Sequence, residues 1–119
     1  MLASAKTIET EGMLMADNER YRVHDYPLGD LTVSVTELKG GQETRGHSHP
    51  SKAEVYFFLD GGDAEMVVGG GRFRVRQKVV LIPQGEFHKV INRSKSSALR
   101  FVSIFSGNRR EAKPKYAQG

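Results

Sequence analysis

The sequence predicts one all-β domain, folded as an antiparallel sandwich or barrel. Three observations indicate this fold class: short runs rich in Val, Ile, Phe and Tyr, turn-forming Gly, Pro and Asp between the runs, and an almost complete lack of helix signals. A chain of 119 residues is long enough for one compact core. We expect a barrel over residues 20–106, an N-terminal arm over 1–19 and a basic C-terminal tail over 107–119, with no regular structure at either end.

The strands are predicted in close succession along the chain. Residues 31–36 alternate apolar and hydroxyl side chains, which is the pattern of a half-buried strand. Asp60-Gly61 predicts a tight hairpin, and three successive glycines at 69–71 predict a second reversal. The predicted strands span residues 21–24, 31–38, 55–59, 65–68, 72–76, 79–82, 87–92 and 99–105.

Composition excludes several classes of protein. No apolar run is long enough to cross a bilayer, and the first twenty residues lack the continuous apolar stretch of a secretory signal. We therefore expect a cytoplasmic protein with no membrane partner. The absence of cysteine removes disulfides, thiolate nucleophiles and Cys-ligated zinc. Any metal site must use His, Asp, Glu or backbone oxygen.

Positive charge is concentrated at the C-terminal end. The net charge is +4 at neutral pH, and residues 107–119 contribute +3 of it, from four basic residues against one acidic residue. No helix-turn-helix or aromatic RNA-binding motif accompanies these charges. We therefore expect a solvated tail and no nucleic-acid partner.

Two of the four histidines are separated by a single residue. In a strand every second side chain points to the same face, so His47 and His49 would project together as a pair of metal ligands. Glu54 follows at an odd spacing, which is wrong for an unbroken strand. Pro50 and Ser51 lie between His49 and Glu54 and cannot continue a regular ladder of hydrogen bonds. We therefore expect a bend that turns the Glu54 side chain to the same face as the histidines.

A further histidine, His88, follows a predicted turn. Pro83 and Gly85 suit the second and fourth positions of a type I turn, and a strand begins near Phe87. The remaining histidine, His24, lies near a strand end outside these patterns. We interpret it as a surface or interface residue.

These spacings resemble the two sequence motifs of the cupin family. The segment from 41 to 61 matches the first motif at each defined position, without gaps. The segment from 83 to 92 is similar to the second motif, although Gln77 stands where that motif has a glycine, a departure that bears on local turn geometry. The matching positions are Gly41, His47, His49, Glu54, Gly61, Pro83, Gly85, His88 and Asn92.

The resemblance implies a single antiparallel cupin β-barrel of the jelly-roll kind, which holds one divalent transition metal per chain and forms a homodimer. Imidazole and carboxylate donors suit Mn, Fe, Co, Ni and Zn alike, so they do not identify the metal. Four protein ligands would leave one or two positions for water or substrate, as in catalytic sites. The implied metal ligands are His47, His49, Glu54 and His88.

The implied function is that of a mononuclear metal-dependent enzyme acting on a small oxygen-rich or anionic metabolite, as an oxygenase, decarboxylase or lyase. A divalent ion beside one carboxylate keeps a positive charge, which favours an anionic or metal-chelating ligand. A sugar or sugar-phosphate isomerase is one alternative, because the residues around His47 and Glu54 resemble a sugar-phosphate isomerase type of cupin. A non-catalytic protein that binds a small molecule or a metal is the other.

Four further side chains are candidates for the pocket. Tyr56 and Phe58 share strand parity with Glu54, so both can line it, although aromatic side chains in a barrel usually belong to the core. Arg45 and Arg100 would bind a carboxylate or phosphate if they pointed inward, and a solvent-facing arginine is the more common state. The alternation of the last predicted strand does not decide which of its two rows faces the interior.

Overall fold

The computed structural model describes residues 4–76 and 78–107, together with the backbone of 115–116. No helix in these ranges has the length and apolar character that crossing a membrane requires. In chain order the elements are α1 (Ala5–Glu11), β1 (Met13–Asp17), β2 (Tyr21–Leu28), β3 (Leu31–Leu38), β4 (His47–Ser48), β5 (Glu54–Phe58), β6 (Ala64–Val68), β7 (Gly71–Arg74), β8 (Val79–Ile82), β9 (His88–Asn92), β10 (Leu99–Ser106) and β11 (Lys115–Tyr116).

The strands form two antiparallel sheets that pack face to face. One sheet has six strands in the order β1-β2-β3-β10-β5-β8, and the other has five in the order β11-β4-β9-β6-β7. Strands that are neighbours in space are often distant in sequence, as β10 lies between β3 and β5. The all-β antiparallel prediction is confirmed, and the ladders of the described residues form a two-sheet sandwich without closing into one barrel.

The hydrophobic core lies between the sheets. Strand side chains alternate between two faces, so each strand gives one row to the interior. Leu38 and Leu99 from the six-stranded sheet belong to the same buried cluster as Met66 and Val90 from the other sheet. Burying a side chain of this size stabilises the fold by about 1.5–3 kcal/mol relative to leaving it in water.

A buried asparagine connects the loops at one end of the sandwich. Asn92, the last residue of β9, accepts hydrogen bonds from the backbone N–H groups of Asp63 and Ser94, each 3.1 Å from its Oδ1. Its amide nitrogen donates to the carbonyl oxygens of Ser97 at 2.8 Å and of Leu38 at 3.2 Å. These bonds fix the end of β9, the strand whose first residue belongs to the candidate site.

The N-terminal arm contains regular structure, contrary to the expectation from the sequence. Helix α1 begins after the capping residue Ser4, whose side-chain oxygen accepts a hydrogen bond from the Thr7 N–H, and it ends before Gly12. Its one buried side chain, Ile8, faces β2 and β3, and β1 then extends the six-stranded sheet by pairing with β2. A seven-residue helix has little apolar periodicity of its own, and packing stabilises it.

The C-terminal tail is described in part. Residues 115–116 form β11, which pairs antiparallel with β4, so the expectation of no regular structure in the tail is wrong at these two positions. Residues 108–114 and 117–119, which contain most of the predicted tail charge, lie outside the described residues. Gln77, where the sequence departs from the second motif, lies outside them as well.

The outer face of the six-stranded sheet is apolar over several strands. Val33, Ile104, Val55 and Leu81 lie side by side in register across β3, β10, β5 and β8. β8 is the edge of this sheet, and Leu81 is 71% exposed there. Antiparallel sheets usually present polar residues to water, so such a row is typical of a surface that contacts another chain.

Candidate metal centre

Three segments bring the four predicted ligands together. His47 in β4 lies directly opposite His88 in β9, within the five-stranded sheet. Glu54 is the first residue of β5, in the six-stranded sheet. Between them the chain crosses from one sheet to the other through a turn at Pro50. This is the predicted bend, and the change of sheet explains why an odd spacing is compatible with a shared site.

The side chains converge on one carboxylate oxygen. Oε1 of Glu54 lies 2.6 Å from Nε2 of His49 and 3.1 Å from Nε2 of His88. The third imidazole, of His47, has its Nε2 3.3 Å from the same oxygen. One ligand atom from each residue lies within 4.8 Å of all the others. Four nitrogen and oxygen donors at such separations are typical of a site for one metal ion.

The hydrogen bonds of the imidazoles fit a metal-binding arrangement. Nδ1 of His88 donates to the backbone oxygen of Glu86 at 2.9 Å, which leaves Nε2 of the neutral ring as an acceptor. This nitrogen lies 3.1 Å from Oε1 of Glu54, so one metal ion can bind both atoms. Both ring nitrogens of His49 are buried without a hydrogen bond to a described residue, since the short contact with Glu54 lacks the required direction. The donor set therefore fits a divalent ion.

The electrostatics of the site favour the protonation states that a metal requires. Burial by itself raises the pKa of the Glu54 carboxyl, but the three imidazoles around it lower that pKa by more, so the pKa lies far below its usual range. Burial lowers the pKa of His47, against the opposing effect of its hydrogen bond with Glu54. At neutral pH the carboxylate is ionised and the His47 ring is neutral, as metal ligands must be.

A cavity of about 470 Å³ opens beside the four residues. Of the four, His47 and Glu54 line this cavity, while His49 and His88 are buried on the core side. The volume is within the range that is typical of small-molecule sites. The cavity is lined by Met15, Ala16, Tyr21, Val23, Thr36, Thr44, Arg45, Gly46, His47, Glu54, Tyr56, Phe101 and Ser103.

Two of the four further pocket candidates line the cavity, namely Arg45 and Tyr56. Phe58 shares the inward face of β5 but packs in the hydrophobic core, where its ring centroid lies 6.4 Å from that of Tyr56 and 5.5 Å from that of Phe101. His24 lies on the outer face of β2, since its neighbour in sequence lines the cavity. This position agrees with the interpretation of His24 as a surface or interface residue.

Arg100 does not reach the cavity, so its candidacy as a pocket residue is wrong. In β10 the inward row includes Phe101 and Ser103, and Arg100 belongs to the outward row. Its guanidinium pairs with Glu9 of α1 and, at 3.4 Å, with Asp60. Both rows of β10 contain apolar side chains, which is why the sequence alone could not orient this strand.

Several cavity residues were not predicted. Thr36 in β3 and Ser103 in β10 place buried hydroxyls on the inner face of the six-stranded sheet, where apolar residues are usual. The alternation of β3 suggests the opposite orientation, with valines inward. Val35 is nonetheless buried, because α1 contacts the outer face of β3. Met15 and Ala16 come from β1, whose pairing with β2 has no signal in the sequence.

Several solved structures share this fold. An uncharacterized conserved protein with a double-stranded β-helix domain from Klebsiella pneumoniae matches with a TM-score of 0.74 at 21% identity, over 99% of this chain and 97% of that chain. KdgF from Halomonas sp. matches with a TM-score of 0.70 at 16% identity, over 87% of this chain and 95% of that chain. At these identities the likeness shows the fold alone.

A larger enzyme contains the same fold as one part. Oxalate decarboxylase from Bacillus subtilis, in a structure concerned with its Mn(II) centres, matches with a TM-score of 0.69 at 18% identity. The match covers 85% of this chain but 29% of that enzyme. No curated protein sequence matches this chain.

A family model locates the similarity within the sequence. The model described as the Cupin domain matches residues 34–105, which is more than half of the chain and includes all four candidate ligands. The predicted cupin fold is therefore confirmed by the family model and by the shared architecture. This chain belongs to the cupin family.

Proposed function

We propose that this protein is a mononuclear metal-dependent enzyme that binds one divalent transition metal ion through His47, His49, Glu54 and His88. The supporting observation is the convergence of three Nε2 atoms on Oε1 of Glu54 beside an open cavity. The substrate is a small oxygen-rich or anionic metabolite, because a divalent ion and one carboxylate leave a net positive charge next to the cavity.

The surrounding residues hold and orient the ligand group. Two ligands face the cavity, and the other two fix the group from the core side. The Glu86 carbonyl orients the ring of His88, and Tyr56 packs edge-on against that ring with centroids 5.4 Å apart. Phe105 stacks on His49 at 6.1 Å, so aromatic rings exclude water from the buried side. A bound divalent ion would supply Lewis acidity to a substrate oxygen in the cavity.

The cavity favours an oxygenase, decarboxylase or lyase, in which the metal provides most of the chemistry. Apart from the ligands, the described lining residues include no carboxylate, imidazole or amine. A sugar or sugar-phosphate isomerase needs a base to move a proton between carbon atoms, and this lining offers only the phenols of Tyr21 and Tyr56. The shared fold of an oxalate decarboxylase with Mn(II) centres also supports the metal-dependent class. Non-catalytic binding is the other alternative.

Elemental analysis of untagged protein, purified without added metal, tests the proposed metal centre. We expect about one Mn, Fe, Co, Ni or Zn ion per chain in the wild type, and less than about a tenth of that in His49→Ala. His24→Ala is the matched control, because this histidine lies on the outer face of β2, and it should retain the metal. Equal metal content in the two variants, or no metal in the wild type, would contradict the proposal.

Turnover separates an enzyme from a binding protein. With a small carboxylic acid as substrate, we expect the wild type and His24→Ala either to release carbon dioxide or to consume oxygen. His49→Ala should be inactive. Binding of such acids without any product would support the non-catalytic alternative. Interconversion of sugar isomers would support the isomerase.

We also expect a homodimer, formed through the apolar row on the outer face of the six-stranded sheet. This row ends at β8, an edge strand on which Leu81 and Val79 are exposed. Light scattering at micromolar concentration should give twice the chain mass, and Leu81→Lys should shift the protein to the monomer. A monomeric wild type would argue against this interface.

A further inference from the structure

The cavity wall contains one permanently cationic side chain among its described residues, that of Arg45. This side chain is exposed, and it makes no hydrogen bond or ion pair with the described part of the chain. Among the described lining residues, Glu54 is the one carboxylate, and the imidazoles surround it. A guanidinium at the edge of a cavity that pairs with no carboxylate among the described residues is available to an anion that enters.

The backbone around Arg45 is fixed on both sides. Thr44 forms two hydrogen bonds with Val90 of β9, from its N–H to the carbonyl oxygen at 2.9 Å and from the Val90 N–H to its hydroxyl at 3.0 Å. Gly46 has a φ of +81°, and a Cβ added there would lie 2.5 Å from the ring of Phe87. The backbone of Arg45 is therefore held at a defined place next to β4, so this segment need not be ordered when an anion binds.

The six-stranded sheet contributes hydroxyl groups to the wall. Thr36 and Ser103 are almost fully buried as residues, yet neither hydroxyl makes a hydrogen bond with the described residues. Each hydroxyl can donate one hydrogen bond and accept two. Met15, Ala16 and Val23 provide an apolar surface nearby. This combination suits a carbon chain that bears hydroxyl groups.

The geometry points to a small hydroxylated carboxylic acid as the substrate class, and we propose that Arg45 selects it by binding the carboxylate while Thr36 and Ser103 bind hydroxyl groups. This inference rests on the proposed function, because it concerns the same cavity. A volume of about 470 Å³ is within the range of small-molecule sites, so an acid of several carbon atoms can enter. Arg45 is a specificity-determining residue in this scheme.

Calorimetric titration with three probes tests the proposal on the protein as purified, with its metal content measured. Gluconate has both a carboxylate and hydroxyl groups, sorbitol has hydroxyl groups alone, and hexanoate has a carboxylate alone. Arg45→Gln should weaken gluconate binding by about 10- to 100-fold, as expected for loss of a charge-assisted pair, and leave sorbitol binding unchanged. Arg45→Lys should recover part of the loss, since it keeps the charge without the planar fork.

The hydroxyl wall and the controls are tested with the same probes. Thr36→Val and Ser103→Ala should weaken gluconate binding and leave hexanoate binding unchanged. Arg93→Gln is the matched control, because Arg93 is exposed and lies outside the cavity lining, and it should bind all probes as the wild type does.

The outcomes separate this inference from the proposed function. If Arg45→Gln keeps its metal and binds gluconate as tightly as Arg93→Gln, the inference is wrong and the metal centre stands. The inference is also wrong if the wild type does not bind gluconate more tightly than sorbitol. If the purified wild type contains no metal but its preference for gluconate still depends on Arg45, the proposed function fails and the role of Arg45 is supported.

Discussion

Replacement of Asn92 with alanine should destabilise the fold far more than the loss of one surface hydrogen bond. The side chain is 1% exposed, and its Oδ1 accepts two backbone hydrogen bonds. Its nitrogen lies near three carbonyl oxygens, but a side-chain amide has only two N–H donors. With the two bonds accepted by Oδ1, the side chain therefore makes about four hydrogen bonds at a time. At about 1 kcal/mol each, with buried partners left unpaired, alanine should cost about 3–5 kcal/mol.

Urea unfolding followed by circular dichroism measures this loss, in the presence of a chelator so that metal binding does not contribute. The matched control is Asn18→Ala. Asn18 accepts two backbone hydrogen bonds as well, from Arg20 at 2.8 Å and from Tyr21 at 3.0 Å, but in an exposed turn where water can replace it. We expect this variant to lose about 0.5–1 kcal/mol.

Equal losses in the two alanine variants would refute the reasoning, because they would mean that the buried partners of Asn92 find other hydrogen bonds. Asn92→Asp adds a second comparison. It keeps an oxygen acceptor but loses both N–H donors and introduces a charge into a buried position, so we expect a loss at least as large as that of alanine. A much smaller loss would show that the donor half of the network contributes little.

Three further predictions concern the site and the arm. Glu54→Gln keeps the shape of the side chain but removes its charge, so metal affinity measured by chelator competition should fall at least about tenfold; unchanged affinity would mean that the carboxylate is not a ligand. The pKa of His47 in the folded protein lies below its ordinary value of 6.5, so as the pH falls the unfolded chain binds this proton before the folded chain does. The urea midpoint of the metal-free protein should therefore fall as the pH drops below 6.5. Glu54, whose pKa is also lowered, adds a further loss below about pH 4.5, and His47→Asn should show only this second loss. Arg100→Ala should speed amide hydrogen exchange in α1 without changing metal content, since its ion pair with Glu9 lies on the outer face; unchanged exchange would show that Ile8 alone anchors the helix.

The features that could be predicted from the sequence depend on short-range spacing. β8 occupies the predicted range 79–82, and β5 begins one residue before its predicted start. The separation of His47 and His49 and the turn at Pro50 are local, so the chain itself indicates that these side chains meet Glu54. The pairing of β4 with β9 is not local, and the resemblance to the family motifs was needed to include the fourth residue.

The features that could not be predicted depend on contacts between distant segments. Helix α1 is too short to be stable alone, and Ile8 packs on strands that follow it by more than ten residues. Thr36, in the inward hydroxyl row of β3, faces a cavity rather than core, which only the assembled structure shows. Arg100 faces outward because its neighbours Leu99 and Phe101 fill the core, and only the assembled sandwich reveals which row that is.

The origin of Met15 and Ala16 in the N-terminal arm has a consequence for how this protein can change. These two side chains shape the cavity but belong to β1, which is separate from the strands that present the proposed metal ligands. Substitutions in the arm can therefore vary the space available to a bound small molecule, while the four proposed metal-binding side chains keep their geometry. A combinatorial library at these two positions would vary which small molecules the cavity accepts without changing the proposed metal centre, and natural divergence has the same route open to it.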